Sequence, residues 1–159
     1  MWLRIAGMLM LVSLAGCTPM ERPMNDMDIA AFASRYAAAW SSQDPEELAS
    51  FYTEGGSLRV NEGEPAVGRE AIAAKARGFM EAFPDMVVQL DSVRRMGGTV
   101  EFHWIWTGTN TGPGGTGNAV RMNGYEEWTL SSDGLIAKSA GHYNEAEYQR
   151  QVRGEGGGG

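Results

Sequence analysis

The sequence predicts an α+β domain, with helices gathered towards its first half and a curved antiparallel sheet in its second. Three observations predict it. Apolar residues recur at helical spacing through residues 28–41 and 68–83. Alternating, β-favouring stretches then follow one another at 85–95, 99–108, 118–130 and 135–143. Turn signals at Gly97-Gly98 and Asp133-Gly134 separate two pairs of these stretches, so the sheet meanders.

The chain begins with Arg4 and an apolar run from Ile5 to Gly16, too short for a membrane span and shaped like an export signal. Leu14-Ala15-Gly16-Cys17 has the form of a bacterial lipobox, in which Cys17 would carry the lipid after cleavage of residues 1–16. A lone cysteine beside an ordinary cleavage site is the plainer alternative. Thr18 stands where an aspartate would signal inner-membrane retention, so outer-membrane sorting towards the periplasm is expected. Residues 17–27, with Pro19 and Pro23, read as a lipidated tether.

Helix 28–41 presents Ile29, Phe32, Ala33, Tyr36 and Trp40 on one face. A second helix starts at Asp44-Pro45-Glu46-Glu47, where aspartate caps, proline takes the first turn and Glu47 completes a capping box. Leu48, Phe51 and Tyr52 extend it, and Gly55-Gly56 ends it. Residues 57–61 form a short strand before a polar loop. The third helix, 68–83, buries Ile72, Phe79 and Phe83 and stops at Pro84. Four strands follow. Asn144-Glu145-Ala146-Glu147 opens a short terminal helix, and residues 154–159 form a disordered tail beyond a domain of residues 28–153.

Composition excludes some functions. Losing residues 1–16 removes one of 13 basic residues against 20 acidic ones, taking the net charge from −7 to −8. That balance repels phosphates and argues against nucleic acid as a partner. One cysteine and two histidines provide neither an internal disulfide nor a convincing metal cage, and no cofactor motif is present. The glycine-rich loop 109–117 lacks the lysine and following helix of a phosphate cradle; it reads as a lid or a strand connection.

Alternation along 118–130 isolates one residue. Val120, Met122, Gly124, Glu126, Trp128 and Leu130 share a face that is apolar except for Glu126, while Glu127 points the other way. On an interior face, desolvation would raise the Glu126 pKa and make it a proton donor near neutral pH. The alternatives are a glutamate paired to an arginine or a bulge turning it outward. On strand 99–108 the apolar face is Val100, Phe102, Trp104 and Trp106, core first and pocket wall second.

Tyr36-Ala-Ala-Ala-Trp40 with Asp44, Phe51-Tyr52, Gly68-Arg69-Glu70-Ala71-Ile72 and Phe83-Pro84-Asp85 carry a family resemblance. Trp106 to Gly112, Thr116-Gly117 and Asp133-Gly134 continue it. In this ordered set the chain resembles the SnoaL-like polyketide cyclases of the nuclear transport factor 2-like superfamily. The resemblance implies a cone with three helices packed on the sheet, a cavity for a small hydrophobic molecule, and homodimers packed sheet to sheet. Ketosteroid isomerase, in the same superfamily, holds its oxyanion with a tyrosine and a neutral carboxylic acid. Tyr36 and Glu126 fall at the corresponding positions and become the candidate catalytic pair, whereas the isomerase's base falls near Asn61. The cyclases' acid/base aspartate falls on Gly141, and a frequent histidine on Asn123, which counts against the cyclase mechanism.

Candidate ligand contacts are Trp40, Tyr52, Trp104, Trp106, Met122, Asn123, His142 and Tyr143. The expectation is an envelope lipoprotein binding a small hydrophobic molecule, with proton-transfer chemistry centred on Glu126. A non-catalytic interaction or dimerisation module, using the outer sheet face, is the alternative.

Overall fold

The computed structural model describes residues 24–155. The export signal, Cys17, most of the tether and residues 156–159 of the tail lie outside the described residues.

Helix α1, Asp26–Ser41, starts two residues earlier than its apolar periodicity predicts. Asn25 is its N-cap: the side chain accepts from the Asp28 amide at 3.0 Å, and the Asp28 carboxylate accepts from the Asn25 amide at 3.1 Å. Helix α2, Pro45–Ala49, is capped by Asp44 through the Glu46 and Glu47 amides. It ends sooner than predicted. Tyr52 opens strand β1, Tyr52–Val60, instead of extending the helix, and Gly55-Gly56 lie within that strand. The Leu48, Phe51, Tyr52 spacing is helical by coincidence: Phe51 sits in the turn after α2, its amide donating to the Leu48 carbonyl at 3.2 Å, and Tyr52 already reaches the core from the strand. Gly56 shows why the strand accepts a glycine: a Cβ there would stand 2.9 Å from the Ile136 carbonyl oxygen of the neighbouring strand.

After β2, Ala66–Val67, come α3, Arg69–Ala82, and four longer strands: β3, Val87–Met96; β4, Thr99–Thr109; β5, Ala119–Leu130; and β6, Ile136–Tyr143. Helix α4, Glu145–Val152, closes the described chain, with the Asn144 side chain accepting from the Glu147 amide at 3.0 Å. The result is a mixed α+β fold of four helices and one curved six-stranded sheet, ordered β2-β1-β6-β5-β4-β3. The expectation of a wholly antiparallel sheet needs one correction. Strand β1 pairs with β6 in parallel, since β1 enters before the helical crossover and the meander returns beside it.

The core lies between the helices and one face of this sheet. Tyr36, Leu48, Tyr52, Ile72, Phe83, Phe102 and Trp128 are fully buried there. The opposite face carries Glu101, His103, Arg121, Asn123, Tyr125, Glu127 and His142, a polar and aromatic surface rather than an apolar one.

The loop between β4 and β5 is a fastened connection. The Asn110 side chain donates to the Ala82 carbonyl at 3.1 Å and accepts from the Thr116 amide at 2.9 Å, while the Thr116 hydroxyl donates to the Val152 carbonyl at 2.6 Å. Asn110 therefore ties the end of α3 to the loop, and Thr116 ties in the end of α4. Asn110→Ala is expected to cost about 1–3 kcal/mol, because two side-chain hydrogen bonds are lost: the Thr116 amide loses its acceptor and the Ala82 carbonyl keeps only the Gly112 amide. Urea unfolding of the purified protein measures it.

Candidate functional site

Alternation along β5 turns Glu126 inward, opposite Phe102 of β4 and Gly141 of β6. It is 6 % exposed. Its Oε2 accepts three hydrogen bonds: from the Ser139 hydroxyl at 2.6 Å, the Tyr36 hydroxyl at 2.9 Å and the Trp128 indole N–H at 2.9 Å. The Tyr36 hydroxyl also lies 2.7 Å from that of Tyr52. Since Tyr36 gives its one hydrogen to Glu126, Tyr52 donates to Tyr36. The three donors come from α1, β5 and β6, with β1 joined through Tyr52, so the carboxyl group is the polar knot of the core.

The two carboxyl oxygens are not equivalent. Oε2 has its acceptor capacity filled, whereas Oε1 takes no hydrogen bond among the described residues. A proton on Glu126 therefore belongs on Oε1. Burial pushes its pKa above the ordinary carboxylate value, against the downward pull of Ser139, Trp128 and Tyr36. Burial, followed by the neighbouring Glu126 charge, also holds Tyr36 and Tyr52 well above the usual phenol value, so both stay neutral donors. Neither alternative for Glu126 holds: β4–β5–β6 pairing is regular through it, and no ion pair among the described residues includes it.

Glu126 lines an open-mouthed cavity of about 70 Å³. Trp40, Phe79, Phe102, Trp104, Trp106 and Tyr143 give its aromatic walls, with Leu58, Val60, Met86 and Val88 between them. At that volume it has room for roughly five water-sized groups. It is far smaller than the several hundred Å³ of a drug-sized ligand site. Gly141 lies directly beside the carboxyl group. A Cβ there would meet Glu126 Cγ at 3.6 Å, so the missing side chain leaves this space to the pocket.

Trp104 owes its position to a second glycine. A Cβ on Gly124 would stand 2.4 Å from both Trp104 Cζ2 and the His142 carbonyl oxygen. Only a bare backbone lets the indole lie across β5. Gly124→Ala is expected to destabilise by about 1–3 kcal/mol and displace the indole. Thermal unfolding and a shift in tryptophan emission report the two effects.

Of the residues assigned to ligand contact from sequence, Trp40, Trp104, Trp106 and Tyr143 stand at the pocket with Glu126. Tyr36 and Tyr52 are buried behind the carboxyl group, where they hold Glu126 rather than meet a ligand. Met122 is buried on the inner face with Gln151 Nε2 at 3.6 Å from its sulfur, outside the pocket lining. Asn123 is exposed on the outer face, beside Asp91, His103 and Arg121. His142 is on that face too, its ring stacked on Tyr125 with centroids 4.8 Å apart. The strand alternation that turns Glu126 inward turns Asn123 and His142 outward.

Asn61 ends β1 as a structural clasp. Its side chain accepts from the Tyr143 amide at 3.0 Å and donates to Glu145 at 3.2 Å. Sequence reasoning passed over Ser139. Its one signal was a polar residue sharing the inward parity of Gly141 on β6. The Trp106 indole N–H is buried without an acceptor among the described residues, an orphan donor on a pocket-lining side chain. No cluster of potential metal ligands occurs among the described residues, and none of their helices is long and apolar enough to cross a membrane.

Comparison with known proteins places this geometry. A family model described as a SnoaL-like domain matches residues 33–139. No curated protein matches in sequence. Among solved structures, TsrD from Streptomyces laurentii superposes with a TM-score of 0.70 at 19 % identity, over 82 % of this chain and 98 % of that one. A hypothetical protein with a ketosteroid isomerase-like protein fold from Catenulispora acidiphila, in complex with trimethylamine, gives 0.68 at 17 % identity, over 76 % and 91 %. A candidate SnoaL-like polyketide cyclase from Jannaschia sp. gives 0.65 at 17 % identity, over 77 % and 92 %. At these identities the likeness is one of fold.

Proposed function

The chain belongs to the SnoaL-like domain family, and from that membership we propose that it binds a small molecule in the inner pocket, anchored at Glu126 Oε1. One observation carries the reading. The pocket's sole carboxyl group is buried, has one oxygen saturated by three donors, and keeps the other for whatever enters. The trimethylamine held by the Catenulispora protein supports a small ligand for this fold. The polar outer face gives an interaction or dimerisation module less to work with than the pocket gives a ligand.

The same geometry favours proton transfer as the chemistry, if a bound molecule reacts. A neutral Glu126 presents its proton from Oε1, and an ionised one accepts a proton there. Tyr36 and Tyr52 act as positioning residues, holding Oε2 while Oε1 works. This differs from the isomerase arrangement, in which tyrosine and acid both face the substrate. With Gly141 and Asn123 at the cyclase's proton-handling positions, Glu126 works without a second pocket carboxylate.

The address completes the proposal. Cleavage before Cys17 and diacylation of its sulfur would make this an envelope lipoprotein, with the domain tethered at the outer membrane and facing the periplasm. Palmitate labelling that disappears in Cys17→Ser, and precursor accumulation under globomycin, are expected; globomycin-insensitive processing contradicts the lipid anchor.

Native mass spectrometry of protein taken from its own envelope tests the binding reading, followed by a thermal-shift screen of small apolar compounds. A retained molecule or a stabilising hit is expected. Gly141→Val, which fills the space beside Glu126, is expected to abolish either signal while leaving a cooperative unfolding transition. An empty protein with a flat screen would refute the reading.

A further inference from the structure

We propose that the ligand is a small organic cation of the methylated-ammonium class, with Glu126 as its counter-charge. The inference rests on the pocket-binding reading and adds the ligand's charge and size to it.

The walls argue for a cation. Trp40, Phe79, Phe102, Trp104, Trp106 and Tyr143 bring six aromatic rings to one small cavity. Aromatic faces carry negative quadrupole charge and attract cations, tryptophan most strongly. No lysine, arginine or histidine lines the pocket. An anion would meet the ring faces and a carboxylate together, and both repel it.

The carboxyl group argues the same way. Three donors converging on Oε2 are an arrangement for an ionised carboxylate. Yet no basic side chain among the described residues pairs with it, so an ionised Glu126 is a buried charge lacking a partner there. Either a proton or a cationic ligand can fill that role. A neutral apolar molecule would satisfy the walls and leave Oε1 unanswered. A cavity of about 70 Å³ accommodates a nitrogen with three or four methyl groups, and is too small to enclose a sterol or polyketide skeleton whole.

The two partners of Glu126 compete. In the empty pocket, burial favours the protonated acid. A permanent cation favours the carboxylate, so its binding expels one proton. Affinity therefore falls as pH drops through the Glu126 pKa. The ionisable groups facing Glu126 are Tyr36 from α1 and Tyr52 from β1, with Tyr143 of β6 in the same pocket and Glu145 of α4 beside Tyr143. All three tyrosines have raised pKa values and stay neutral across this range. From β4 the facing side chain is Phe102, which does not titrate.

Titration calorimetry on the full chain tests this, with tetramethylammonium chloride as the probe and neopentyl alcohol as its neutral counterpart. Tetramethylammonium cannot titrate, so any pH dependence belongs to the protein. It is expected to bind at least about tenfold tighter than neopentyl alcohol. Below the Glu126 pKa its affinity should fall by up to about tenfold per pH unit, the slope of one displaced proton. Glu126→Gln should flatten the slope and weaken the cation about tenfold or more, without weakening the alcohol. Trp104→Leu, which keeps the carboxyl group, should also weaken the cation about tenfold. Equal or tighter binding of the alcohol, lost in Gly141→Val, overturns the cation while sparing the pocket reading. A pH-independent tetramethylammonium affinity, or no binding of it, overturns the cation as well; retention in native mass spectrometry then decides the pocket reading separately.

Discussion

Trp128→Ala is expected to lower the unfolding free energy by about 3–5 kcal/mol, more than the loss of Asn110 or the crowding of Gly124 would cost. Trp128 is fully buried. Its ring stacks on Phe102 at 4.9 Å and 16°, and meets Tyr36 edge-on at 4.9 Å and Phe32 at 5.7 Å. The cost therefore combines lost transfer energy with a cavity among rigid aromatic neighbours that collapse poorly. A second contribution is polar. The indole N–H is one of three donors on Glu126 Oε2, so truncation removes stabilisation of the ionised carboxyl group and pushes its pKa further up. Trp128→Phe separates the two: it keeps most of the ring, loses the N–H, and should cost clearly less. Urea unfolding of both variants at two pH values measures the packing and polar parts.

Glu126→Gln is expected to remove one pH effect on stability while preserving the fold, and to abolish any proton-transfer turnover found. Glutamine cannot ionise, yet its carbonyl oxygen can still accept from Ser139, Tyr36 and Trp128. The sign follows from burial. The Glu126 pKa is raised in the folded state, so its contribution to stability is fully present below the unfolded carboxylate value and is lost as pH rises through the folded value. The wild type should therefore lose stability relative to Glu126→Gln across that window, and the difference should level off above it. A wild type that gains stability relative to the variant over this range would mean that the three hydrogen bonds outweigh burial. Unchanged turnover in the variant would remove Glu126 from the chemistry.

What the sequence disclosed follows from which forces act locally. Alternation along β5 is a backbone property, and it placed Glu126 on the inner face and Glu127 outside without any tertiary information. It also carried the information that Asn123 and His142 face outward, which the family correspondence obscured. The early end of α2 was hidden because Phe51 and Tyr52 are apolar in either conformation. The parallel seam between β1 and β6 depends on contacts far apart in the chain, and no local pattern encodes it. Tyr36 was singled out by resemblance to an oxyanion-holding tyrosine. Its position behind Glu126 makes it a donor to that carboxyl group rather than a wall of the pocket. Ser139 offered only its shared parity with Gly141, too weak a signal until its carboxylate partner is in view. The pocket's small size is likewise tertiary, set by how far Trp104 and Trp106 lean in from β4.

Glu126 is a buried carboxyl group with one oxygen held by three donors, at the wall of the pocket. Carbon-13 NMR titration of the Glu126 side-chain carboxyl, assigned by its loss in Glu126→Gln, tests this most directly. A pKa above the ordinary glutamate value of about 4.3 is expected in the empty protein, with a fall when tetramethylammonium is added. A value at or below the ordinary one, indifferent to ligand, would contradict it.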